Sequence, residues 1–348
     1  MRAEPLTTAL RDIDADEGIL QAVPSPLFTE EERSRFTEDF ANAVRGSTQR
    51  SYAGAWKRYS QWLQQTDRKS SAFDAPTVGV YLSTLGRTHS LSTVETARAA
   101  ILDKATSTAG ADVHALRTNP QVMRALQGLR ATKRRTSTPR KARALSKEEL
   151  TSLLRSLPDN NAGKRTAAML TLAVSIGLRS SEVCNLRVGE LSFEENGLLV
   201  TLRSTKASDL PVTVGVKSLP LAEDGSPSEF DAIVRLRRWL HAYRSLDGVT
   251  SASPLFPAVS RNNVVRISST PLTPQSITKI MLTVAGTACV EQERLTSHSC
   301  RATFATGAFK ARIPLAEIRR TGRWASNAVF GYDRSSALDS SASDWLAS

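Results

Sequence analysis

Apolar residues recur at helical spacing through most of the chain. Tyr52, Trp56, Tyr59 and Leu63 fall on one face of a helix that starts near Ser47 or Thr48. A second helix takes Asp74 as its cap and Pro76 in its first turn, with Val78, Tyr81, Leu82 and Leu85 as its buried stripe. A third opens at Ser92, where Glu95 completes a capping-box spacing, and a fourth opens at Asn119-Pro120 and carries Val122, Leu126 and Leu129. These helices predict a bundle over 41–131. The aromatic stripe of the first helix reads as core rather than as a base-stacking platform.

The second half changes pattern. Ser146 and Glu149 form a capping box ahead of Leu150, Leu153, Leu154 and Leu157, and a long apolar helix over 163–176 stops at Gly177. LLVTLRSTKASDLPVTVGV alternates and is rich in Val and Thr, so it predicts a hairpin near 198–203 and 211–216 with Lys206 close to the turn. Helices near 228–244, 274–289, 297–311 and 314–322 follow, and a short last helix near 325–334 contains Tyr332. The chain is therefore mainly α, with a mixed α/β second domain over 145–335 and a tail over 336–348.

Between the domains, RATKRRTSTPRKAR over 130–143 holds seven basic residues in fourteen and no acid. Thr, Ser and Pro there predict a break in helix and a linker over 132–144. Lys133, Arg134, Arg135, Arg140, Lys141 and Arg143 suit a strap across a polyanion backbone. The net charge is +12 over 348 residues. Residues 1–40 hold ten acids against four arginines, which leaves +18 for the rest. An acidic extension with a helix near 29–43, capped by Thr29 and Glu32, thus precedes a basic body that favours nucleic acid.

Three widely spaced cysteines (Cys184, Cys289, Cys300) and four histidines show no disulfide framework and no metal-ligand spacing. No signal peptide or membrane-spanning run is visible, so the expectation is a soluble, cytoplasmic protein that needs no metal or other cofactor.

The chemistry-bearing candidates are few. Phosphoryl transfer needs cations around the phosphate, a nucleophile and a proton donor for the leaving oxygen. The chain has no Gly-rich phosphate loop and no acidic cluster at metal spacing. Arg179 lies just after Gly177, Lys206 sits beside a turn, His298 and Arg301 share a helix face, and Tyr332 lies in VFGYDR. Each of these is ordinary alone.

Their order is not ordinary. GLRSSEVCNLR, STKASD, SHSCRATFAT and RRTGRWASNAVFGYDR, following the helical region from STQRSYAGAWKRYSQWL to NPQVMRALQGLR, resemble the motifs of the tyrosine recombinases (the phage integrase family) over about 45–335. The resemblance implies a core-binding (SAM-like) domain over 41–131 and a catalytic domain over 145–335. It implies Arg179 and Arg301 as the phosphate clamp, Lys206 as general acid, His298 as acid/base and Tyr332 as nucleophile, with Glu182 buttressing Arg179. Many members have L-G-H nine residues before the tyrosine, and Cre-type members have Trp in place of that histidine. Here T-G-R-W puts Trp324 in that role, with Arg323 as its rival. The family also implies duplex DNA as partner and a homotetramer on it. Leu338, Trp345 and Leu346 among polar residues suggest a tail that docks on a neighbouring protomer, or else folds back on its own domain or stays disordered. A telomere resolvase, a type IB topoisomerase and a catalytically inactive DNA-binding protein are the alternatives.

Overall fold

The computed structural model describes residues 29–42, 46–68, 72–108, 110–136, 141–203, 210–267 and 270–334. The chain divides into two compact units, Met1–Pro139 and Arg140–Ser348.

The first unit contains α1 (Glu30–Asn42), α2 (Gly46–Gln65), α3 (Ala75–Thr88), α4 (Leu91–Thr106), α5 (Val113–Thr118) and α6 (Pro120–Thr136). The Thr29 hydroxyl accepts the Glu32 N–H while Glu32 accepts the Thr29 N–H, so the capping box read from the sequence starts α1. Asp74 caps α3 as expected. Helix α2 packs on α4, and α3 on α6. Their shared core holds Tyr59, Leu63, Val78, Tyr81, Leu82, Val94, Ile101, Val122 and Leu126. The Tyr59 hydroxyl donates to the Ala72 carbonyl at 2.7 Å. Rings of Trp56, Tyr59, Trp62, Phe73 and Tyr81 stack or tilt on one another.

Three expectations change in this unit. Helix α4 is capped by Ser90, whose side chain accepts from Thr93 N–H, not by Ser92. Glu95 instead pairs with Arg130 of α6 at 2.7 Å. Helix α5, capped by Asp112, is one the sequence pattern did not separate. Helix α6 continues to Thr136, into the segment read as linker: strong helix formers run up to Arg135 and the first Pro is Pro139, which lies outside the described residues.

In the second unit, α7 (Lys147–Arg155) opens with the expected Ser146–Glu149 capping box. Helix α8 (Asn161–Ser175) follows and packs against two later helices, α10 (Ala232–Arg244) and α12 (Ser299–Lys310). Gly177 then takes φ 57°, and a side chain there would collide with the Phe304 ring. Helix α9 (Ser180–Asn185) leads into a sheet of β1 (Leu191–Glu194), β2 (Gly197–Leu202) and β3 (Val212–Lys217), antiparallel in that order. The expected hairpin is β2–β3, with Val200 opposite Val214. The extra strand β1 pairs Phe193 with Leu198. Helices α11 (Pro274–Thr287) and α13 (Leu315–Gly322) complete the unit with a 3₁₀ turn over Asn327–Gly331. Tyr332 thus follows a short 3₁₀ turn instead of lying inside a helix.

Candidate active site

The site is built from four chain segments that end near one another. The first is the turn at Gly177, which places Arg179 at the cap of α9. Glu182, one turn on and 3% exposed, returns both its oxygens to that cap. Oε2 accepts the Arg179 N–H at 2.8 Å, and Oε1 accepts Arg179 Nη1 at 2.6 Å. The second segment is the start of α12, which carries Arg301 in its first turn with no exposed surface. Arg301 Nη1 donates to the Gly177 carbonyl, and Nη2 donates to the Gly322 carbonyl at 2.5 Å.

The third segment is the end of α13. Arg323 closes the helix with φ 57°, and its buried side chain donates from Nη2 to Glu182 Oε2 at 2.8 Å and from Nη1 to the Ile176 and Thr321 carbonyls. Its own carbonyl accepts from Arg179 Nη2 at 3.2 Å. The Trp324 ring covers the Arg301 guanidinium, 3.8 Å from its centroid. The fourth segment carries Tyr332, whose ring lies 5.5 Å from that of Trp324 and 5.4 Å from the Arg301 guanidinium. The Tyr332 carbonyl accepts from the Thr306 hydroxyl, which in turn accepts the Arg334 N–H.

Three guanidiniums therefore surround one carboxylate. Burial alone would raise the Glu182 pKa, but Arg323, the Arg179 N–H and Arg179 hold it below its ordinary value. Burial, reinforced by the Arg179 charge, pushes Arg301 down to about 9. Arg301 Nε and Arg323 Nε are buried without a hydrogen-bond partner. A buried site with surplus positive charge and surplus donors suits a dianionic or monoanionic oxygen ligand such as a phosphodiester.

The other expected residues fall differently. His298 is exposed at the cap position of α12, one turn before Arg301. Lys206 and Arg140 lie outside the described residues, as does the tail after Arg334, and Lys133 is half-buried near the end of α6 while Lys141 is exposed. Arg134 and Arg135 belong to α6. Arg143 departs from the strap expectation: its guanidinium grips both Glu149 oxygens at 2.9 Å and the Glu291 carbonyl. No group of His, Cys, Asp and Glu suited to a metal occurs among the described residues. No helix there is long and apolar enough to cross a membrane.

Residues 143–332, more than half of the chain and all four segments of the site, match the phage integrase family. The chain belongs to the phage integrase family. The chain is 24% identical over 279 residues to an integrase/recombinase XerD homolog of Selenomonas ruminantium, covering 80% of this chain and 78% of that protein. Its fold is similar to that of the XerH site-specific recombinase bound to a palindromic difH substrate in a post-cleavage complex, with TM-score 0.58 and 19% identity over 85% of this chain and 79% of that one. It is also similar to lambda integrase as a tetramer on a Holliday junction, with TM-score 0.54 and 14% identity over 86% and 75%.

Sequence reasoning missed several residues of the integrase site. The carbonyls of Gly177 and Gly322 anchor Arg301, and Arg319 holds the Trp324 and Ala325 carbonyls. Thr306 and Arg334 fix the backbone around Tyr332. Main-chain acceptors leave no residue-type signal, so no pattern could have pointed to them.

Proposed function

We propose that this protein cuts and rejoins DNA at specific sites through a 3′-phosphotyrosyl intermediate. The observation that carries the reading is the convergence of Arg179, Arg301, Trp324 and Tyr332 on one buried, positively charged spot. Arg179 and Arg301 clamp the non-bridging oxygens of the scissile phosphate with forked hydrogen bonds. The Tyr332 hydroxyl attacks phosphorus, a new O–P bond forms, and the bond to the 5′ oxygen breaks. His298 takes the phenolic proton, and Lys206 gives a proton to the departing 5′ oxygen. A 5′-hydroxyl from a partner strand reverses the step. The phosphotyrosyl link conserves the bond energy, so the exchange proceeds without nucleotide hydrolysis.

Trp324, not Arg323, fills the position beside the phosphate, because its ring lies against both Arg301 and Tyr332 while the Arg323 side chain is committed to Glu182. The partner is duplex DNA, contacted along its backbone by Lys133, Arg134, Arg135, Arg140 and Lys141, and the working assembly is a homotetramer holding two duplexes. The matched relatives are recombinases and integrases, which favours strand exchange over the telomere-resolvase and topoisomerase alternatives.

The test is adduct capture. Sheared genomic DNA of the source organism is incubated with the full chain and with Tyr332→Phe, in EDTA and without nucleotide, and denaturant-resistant protein–DNA adducts are recovered and sequenced. Adducts converging on one sequence, from wild type and not from Tyr332→Phe, are expected. Equal recovery from both proteins, or none from either on nicked duplexes, would refute phosphotyrosyl chemistry.

A further inference from the structure

We propose that Arg323 is a positioning residue: it neutralises Glu182 from behind and offers its carbonyl to Arg179, so that Arg179 stays oriented and available to the phosphate. The inference rests on the recombinase reading above and assigns Arg323 a part in the same site without contact to DNA.

The geometry is specific. The left-handed region is unfavourable for an L-residue, yet Arg323 adopts φ 57° and ψ 49° at the end of α13. With that turn, side chain and carbonyl both meet the α9 cap. The side chain, 4% exposed, reaches Glu182 Oε2, and the carbonyl reaches Arg179 Nη2. Arg323 therefore touches Arg179 twice, once directly and once through Glu182. It also shares the Gly177 carbonyl with Arg301, donating to it from Nη2 at 3.3 Å. The charged groups facing Glu182 are Arg179 on its own helix, Arg323 after α13 and Arg301 on α12.

The energetics follow from the count of charges. A buried carboxylate without enough positive charge either draws in its nearest cation or takes up a proton. With Arg323 present, Glu182 shares its demand between two guanidiniums. Without Arg323, Arg179 is left as the one guanidinium bonded to Glu182, and it is drawn further onto the carboxylate and away from a phosphate. The Arg323 guanidinium is committed to Glu182 and to the Ile176, Gly177 and Thr321 carbonyls, so its removal acts on the rate of cleavage and not on affinity.

The experiment compares Arg323→Met, Arg323→Lys, Glu182→Gln and the double variant Arg323→Met/Glu182→Gln in the full chain. Three quantities are read: affinity for the duplex recovered by adduct capture, single-turnover cleavage of that duplex with a nick, and the ¹³C carboxyl titration of Glu182 without DNA. Arg323→Met should slow cleavage about a hundredfold, the effect of a small misplacement of a reacting group. Affinity should stay within about twofold. Arg323→Lys should recover part of the rate, the double variant should be no slower than Glu182→Gln alone, and the Glu182 titration should move to higher pH in Arg323→Met. Cleavage at the wild-type rate, loss of affinity in step with the rate, or multiplied defects in the double variant would overturn the proposal. Should Arg323→Met fail to fold, Arg323→Lys alone decides: an intermediate rate at full affinity supports the proposal, and a wild-type rate sinks it. If wild type forms no adduct, the recombinase reading fails, while the Glu182 titration still decides whether Arg323 governs that carboxylate.

Discussion

A single methyl group tests the packing of the site. Gly322 is the buried last residue of α13, and its carbonyl holds Arg301. A Cβ there would overlap the Trp324 indole, coming within 2.8 Å of even its third-nearest atom, Cη2. The ordinary separation of packed carbons is about 3.5–4.0 Å, so the ring must shift by roughly 1–2 Å. It is confined by the Arg301 guanidinium at 3.8 Å, the Phe304 ring at 6.2 Å and the Tyr332 ring at 5.5 Å. Overpacking costs about 1–3 kcal/mol. Replacing a helical Gly by Ala offsets about 0.5–1 kcal/mol of that. The net of about 1 kcal/mol lowers Tm by about 2–4 °C for a domain of this size, so the variant stays folded at assay temperature. Misplacing a reacting group by about 1 Å costs roughly a hundredfold in rate. Gly322→Ala should therefore melt slightly early and cleave a nicked target duplex roughly a hundredfold slower in single turnover. Gly307→Ala on α12 is the control, since a Cβ there meets nothing within 4 Å. Gly322→Ala cleaving at the wild-type rate with an unchanged Tm would refute the packing of Trp324 against this position.

Other perturbations follow from the same contacts. Glu182→Gln leaves Arg323 buried without its carboxylate and should cost about 3–5 kcal/mol at pH 7 in denaturant unfolding. Because the folded pKa of Glu182 lies below its ordinary 4.5, its contribution is complete above that value and fades as pH falls through the folded pKa. The Tm gap between wild type and variant should close at the acid end, and a gap independent of pH would contradict the assignment. In the first unit, Tyr59→Phe strands the buried Ala72 carbonyl and should cost about 1–3 kcal/mol, read as a drop in the melting of that unit by circular dichroism. Arg334→Ala removes bonds to the Ala142, Gly331 and Asp333 carbonyls and should slow cleavage about tenfold at unchanged DNA affinity.

How far the sequence carried the structure depended on whether the signal was local. Asp74, Ser146 and Thr29 start helices through their own side chains three residues on, and all three were legible. Ser90 and Ser92 both offer a hydroxyl; Ser90 caps the Thr93 N–H, while Glu95, the residue that pointed to Ser92, bonds Arg130 35 residues away. Strand β1 has only four residues and half-buried alternation, too short a run to stand out beside β2 and β3. In the site, the order of Arg179, Arg301 and Tyr332 was readable, because motifs fix residue types. The inward turn of Arg323 was not, since it depends on a left-handed backbone and on acceptors from α8 and α9 far away in sequence.

Helix α12 acts as a ruler. Its first turn holds Arg301, and five residues later Thr306 grips the Tyr332 carbonyl and the Arg334 N–H just after it. At about 1.5 Å per residue, the two grips stand about 7.5 Å apart along a rigid rod. Arg301 and Tyr332, the proposed phosphate clamp and nucleophile, therefore share one length standard. Any tilt or slide of the rod carries both together, and their spacing is preserved through whatever motion DNA imposes. Register matters along this rod as much as residue type: one inserted residue between the grips would turn Thr306 by about 100° and release its hold on the Tyr332 backbone.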